Sequence, residues 1–184
     1  MKQNLFRNKI SGFTLVEMLV VVSIMVVLSA TIIANLRRGQ RTQELNAATE
    51  SIVSALRQMQ NNVLSGLEHG SSHQPAGDFG FEISSDGTLY TTFSELTGQT
   101  ARINLETVNF TPNIAITNLV VGGVAATMLQ VRFLPPFGKV IMTGASYTNE
   151  PDITSTFNVR LTSGSAILNK TITIDGLTGR IETQ

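Results

Sequence analysis

His69 and His73 are the two histidines among 184 residues, and their four-residue spacing could seat a metal ion on one helix face. They stand in Glu68-His69-Gly70-Ser71-Ser72-His73-Gln74-Pro75, where glycine, serine and proline oppose a helix, so a solvated loop is expected and no metal is assigned. A hydrolase would need one of them to meet an acid and a nucleophile in a dry pocket. No Gly-x-Ser-x-Gly elbow accompanies them, so no catalytic residue and no cofactor are assigned. Asn149, Glu150 and Asp152 gather hard-oxygen groups that could hold calcium within 146–154, but around Pro151 they form a sparse set. An acidic surface loop is expected there. Glu17 makes the clearest chemical demand, as the single charge between Phe13 and Ala34. A carboxylate in hydrocarbon costs several kcal/mol unless neutralised or paired, which makes it a functional residue by default. Its place in the first turn of a helix, where the dipole favours an acid, eases that cost.

The elements that must position these groups are of two kinds. From Phe13 to Ala34 the chain runs 22 residues with one charge, long and apolar enough for a membrane segment. A cleaved secretory signal fits poorly, because no small-residue cleavage site follows the run. No proline occurs between Phe13 and Gln74, so nothing obliges the helix to stop at a membrane surface. Gly39 is its weak point. Leu45, Ala48, Ile52, Leu56, Met59, Val63 and Leu67 then recur at three- and four-residue intervals, one apolar stripe on a polar helix. The spacing predicts one helix from Phe13 to about Leu67, its outer half packed on the remaining chain.

Gly66 to Gly77 is rich in breakers and is expected to end the helix in a loop, after which the period changes to two. Phe79 to Ile83 and Thr88 to Phe93 flank Asp86-Gly87, a hairpin signal. Further strands are expected around 103–110, 114–121, 128–134, 139–142, 156–161 and 167–174. Strands that follow one another without helices imply an antiparallel sheet, so the fold class is α+β. The division is 1–12, a helix 13–67 with 13–34 in the membrane, and a β head 68–184. With no cysteine, neither a disulfide framework nor a thiolate metal site exists. Arg37, Arg38 and Arg41 after the apolar run balance Lys2, Arg7 and Lys9 before it, so charge alone leaves the orientation open.

Lys9-Ile10-Ser11-Gly12-Phe13-Thr14-Leu15-Val16-Glu17 resembles the leader of type IV pilins and type II secretion pseudopilins. The resemblance implies that prepilin peptidase cuts between Gly12 and Phe13 and methylates Phe13, and that Glu17 helps subunits enter the filament. It implies an N-terminus in the cytoplasm, a single pass through the inner membrane and its lipid, and a head outside, in the periplasm or beyond the cell. The implied partners are other pilins through the N-terminal helix and an inner-membrane assembly platform. A second resemblance, to minor subunits of the GspH/FimT kind, rests on Phe133-Leu134-Pro135-Pro136-Phe137-Gly138 and on Asp175-Gly176-Leu177-Thr178-Gly179-Arg180. Those subunits carry a long helix packed on a β-sandwich-like head. FimT-like DNA-uptake subunits use a Gly-Arg-x-Arg tail; here Gly179-Arg180-Ile181-Glu182 keeps the first arginine only. From Glu68 onward six basic side chains face ten acidic ones, so Arg180 has no supporting field and DNA is not an expected partner. The expected function is structural: a minor pilin or pseudopilin, with a DNA-uptake subunit and a membrane-anchored hydrolase as alternatives. Secretion, pilus and competence systems are not separated by these residues.

Overall fold

The computed structural model describes residues 13–66, 68–69, 74–96, 102–163 and 166–184. Helix α1 (Leu15–Leu64) is followed by β1 (Glu68–His69), β2 (Gln74–Ser84), β3 (Leu89–Leu96), β4 (Arg102–Asn109), β5 (Ile114–Val121) and β6 (Val124–Ala125). Then come β7 (Met128–Leu134), β8 (Lys139–Gly144), β9 (Tyr147–Pro151), β10 (Thr154–Ser163), β11 (Ala166–Asp175) and β12 (Ile181–Thr183). The architecture is α+β, a long apolar N-terminal helix followed by antiparallel sheets. The chain divides within α1 into two compact units, 1–40 and 41–184.

In the second unit the strands form two sheets. One runs β4-β3-β2-β7-β8-β9, with β1 also on β2; the other runs β12-β11-β10-β5-β6. Alternation decides which side chains turn inward. Phe79, Phe81 and Ile83 of β2, Leu129, Val131 and Phe133 of β7, and Val140 and Met142 of β8 line the first sheet's inner face. Ile114 and Ile116 of β5, Phe157, Val159 and Leu161 of β10, and Ile172 and Ile174 of β11 line the second. Both faces join the apolar side of α1 in one core.

The α1 stripe is wider than its spacing predicts. Leu45, Ala48, Ile52, Leu56, Met59 and Val63 are buried, and Thr49, Val53 and Ala55 are buried beside them. A helix that serves the cores of two sheets must bury more than one narrow seam. Ser51 and the Tyr90 hydroxyl share a 2.8 Å hydrogen bond that ties α1 to β3. The helix ends at Leu64, short of the expected Leu67, because Gly66 turns left-handed at φ 63° and its amide donates to the Val63 carbonyl. Leu67 lies outside the described residues.

Asp86-Gly87 closes the β2–β3 hairpin as expected, with Asp86 left-handed at φ 57°. The turn also docks on the other sheet: the Asp86 amide donates to Ile116 and the Ile116 amide to Gly87. The short strands β1, β6 and β9 were not among those expected, and β9 occupies the stretch read as an acidic loop. Polar Tyr-Thr-Asn-Glu-Pro has no alternating apolar signal; pairing with β8 makes it a strand.

The first sheet's outer face carries charge in place of a second core. Gly80 sits between the inward Phe79 and Phe81, and Phe93 lies directly opposite it on β3. The Phe93 ring therefore lies over Gly80 on the outer face, where it is fully buried. Arg102 stacks on that ring, its Cζ 3.9 Å from the centroid, and pairs with Glu82. Arg132 on β7 bridges Asp78 and Glu95, which are register partners on β2 and β3.

Candidate functional site

The N-terminal unit is built from Thr14 upward. Thr14 precedes the first helical residue, and its hydroxyl accepts a 3.2 Å hydrogen bond from the Glu17 amide. Threonine with an acid three residues on is the capping-box pattern, and it satisfies a helix-end donor that hydrocarbon would leave without a partner. Glu17 is thereby placed in the first turn, over the positive end of the helix dipole. The signal for this cap lies in the sequence itself, a threonine three residues before an acid at the start of an apolar run.

From Leu15 to Ile33 every side chain is exposed, and an 18-residue window of α1 is long and apolar enough to cross a membrane. None of that window is buried within the protein, which distinguishes it from a soluble core helix. Its hydroxyls are satisfied within the helix: Ser23 donates to Leu19 O and Thr31 to Leu28 O, each at 2.8 Å. Such internal pairing suits a segment that water does not reach. Phe13 is 77% exposed at the start of this surface, and Gly12 lies outside the described residues. Glu17 remains the single ionisable side chain from Phe13 to Ile33.

The head brings few of the other candidates together. His73 and the His69 side chain lie outside the described residues; the His69 backbone belongs to β1. Among the described residues no three His, Asp or Glu side chains gather as a metal site. The Asn149 carboxamide oxygen accepts from Arg132 and from Thr143, so it belongs to the outer-face network. Glu150 is exposed on β9 and Asp152 follows it, left-handed at φ 62°.

Arg180 is 74% exposed, and its guanidinium pairs with Glu182 at 2.6 Å. The acid that replaces a second arginine thus neutralises the first. Nearby, Asp175 accepts from the Thr178 hydroxyl at 2.6 Å and the Leu177 amide at 3.0 Å. These bonds, the hydroxyl's foremost, hold its carboxyl below the usual aspartate range and organise the last hairpin turn. Burial raises the Tyr90 phenol, against the lowering effect of its bond to Ser51.

Residues 7–33 match the prokaryotic N-terminal methylation motif. The match spans the end of the leader and the apolar helix and does not reach the head. No curated protein and no solved structure matches the chain. The motif supports a subunit of the type IV pilin-like class, preceded by a prepilin leader and anchored by its apolar helix. It points to a structural protein, one processed by prepilin peptidase and assembled with other pilins.

Proposed function

We propose that this chain is a minor pilin or pseudopilin of the GspH/FimT-like kind, held in the inner membrane by residues 13–34 until it enters a filament. One observation carries the reading: the methylation motif coincides with an apolar helix face that the protein itself leaves wholly uncovered. Cleavage between Gly12 and Phe13 frees the Phe13 amine, which is then methylated. Helices bundle through their apolar surfaces, and the Glu17 carboxylate pairs with the Phe13 amine of a neighbouring subunit. The head faces outward and carries no chemistry of its own. In the head, the Phe133-to-Gly138 and Asp175-to-Arg180 passages support the subtype. DNA uptake gains nothing from the Arg180 geometry, because Glu182 holds that guanidinium.

The test follows maturation and assembly in the same membranes. Intact mass should show a chain beginning at methylated Phe13, and Gly12→Val should block cleavage by crowding a site fitted to glycine. Glu17→Val should still be cut but should lose crosslinking to its neighbours. An unpaired buried ion costs about 3–5 kcal/mol, enough for a hundredfold loss of incorporation or more. A mature chain retaining Lys2 to Gly12 refutes the filament reading. Undiminished crosslinking in Glu17→Val refutes only the role given to that carboxylate.

A further inference from the structure

A groove in the head runs between α1 and the last two strands, with a volume of about 650 Å³. Glu50, Val53, Ser54 and Arg57 form its helical wall, and Lys170 and Thr183 its sheet wall. Volumes of roughly 300–1,000 Å³ are those of ligand sites. Lys170 lies two residues before the inward-facing Ile172, and Thr183 is the register partner of Ile172. Both side chains therefore turn toward α1. Neither Arg57 nor Lys170 has an ion-pair partner among the described residues. Glu50 is the groove's only acid among the described residues. Two unpaired cations against one acid favour a negatively charged occupant.

The shape of that occupant follows from the ladder. Thr171 and Gln184 exchange both backbone hydrogen bonds, and the Asp175 amide donates to the Arg180 carbonyl. In an antiparallel pair such exchanges alternate, so Glu182 also bonds inward to β11 while Ile181 and Thr183 aim their N–H and C=O groups away from it. β12 ends the order of its sheet, and no described strand covers that edge. β4, an end strand of the first sheet, is by contrast blunted by a register shift opposite Thr92 and Phe93, a device that discourages strand addition. A strand laid on β12 would direct the side chains opposite Ile181 and Thr183 into the groove, toward Lys170 and Arg57.

We propose that this groove receives an extended, acidic polypeptide segment of a partner protein, added as a strand to the free edge of β12 with a carboxylate between Arg57 and Lys170. Backbone pairing supplies affinity and the two cations supply selection. The site is independent of the N-terminal segment and of the filament reading.

The probe is a fluorescent peptide of alternating threonine and valine with one central aspartate, read by anisotropy against the full chain in neutral detergent. One twin carries lysine in place of aspartate, and another is N-methylated on alternate amides. The aspartate peptide should bind about tenfold more tightly than the lysine twin, and the N-methylated twin should not bind. Arg57→Glu and Lys170→Glu should each weaken it about tenfold. Glu50→Lys should tighten it about threefold, a gain that misfolding cannot mimic. Hydrogen exchange should slow at Ile181 and Thr183 when the peptide is bound. Equal binding of the aspartate and lysine peptides, undiminished binding of the N-methylated twin, or no binding up to about 1 mM overturns the proposal.

Discussion

Gly80 shows how one missing side chain shapes the outer face of the larger sheet. A Cβ at this position would lie 2.1 Å from Phe93 Cζ and 2.5 and 2.6 Å from the two Cε atoms. Ordinary carbon contacts lie at about 3.5–4.0 Å, so the ring must retreat by more than about 1 Å. It cannot do so freely, because Arg102 stacks on the ring and also pairs with Glu82. Gly80→Ala should therefore cost about 1–3 kcal/mol as overpacking, although alanine ordinarily stabilises a strand relative to glycine by about 0.5–1 kcal/mol. Phe93→Ala should cost about 3–5 kcal/mol, since the ring is fully buried. In the double variant the new methyl group enters the space that the ring leaves. The Gly80→Ala penalty should vanish there, giving a coupling of about 1–3 kcal/mol. The assay is urea unfolding of a fragment spanning residues 41–184, followed by circular dichroism and tyrosine fluorescence. Equal costs for Gly80→Ala with and without the Phe93 ring would show that the ring does not define the site.

Three further outcomes are expected in the same fragment, which should be soluble. Ile52→Asp or Leu56→Asp should destabilise it by several kcal/mol, since both positions are fully buried against the sheets; parental melting of both variants would place the stripe against other subunits. Arg132→Met should cost about 1–3 kcal/mol, because it leaves Asp78 and Glu95 facing one another as register partners. Adding Asp78→Asn should recover part of that loss, and a further loss on the same urea curves would contradict the bridge. Asp175 should titrate below the ordinary aspartate range by carboxyl-carbon NMR, and Thr178→Val should raise it. Its folded pKa is depressed, so its contribution is complete above the unfolded value and fades as pH falls through the folded one. Normal titration in the parent would remove the role given to the Thr178 bond.

The N-terminal unit was legible because its physics is local. An apolar run of membrane length, one acid in the first turn and no proline define a helix wherever the rest of the chain lies. The same holds for the strands at 79–83 and 128–134, whose alternation puts the inward residues in the core, whereas at 114–121 the phase slips at left-handed Asn118. Asp86-Gly87 marked its hairpin for the same reason, since turn chemistry acts over a few residues.

What only the tertiary structure decided depends on residues far apart in sequence. Nothing in Thr49, Val53 or Ala55 announces that they join the stripe; a second sheet against α1 buries them. Arg132 reads as a strand-surface cation until register places Asp78 and Glu95 beside it. The groove of Arg57 and Lys170 exists only because α1 and β11, more than a hundred residues apart in sequence, share one core. Local propensity and period are written residue by residue, whereas pairing register and charge neighbourhoods arise when distant strands meet.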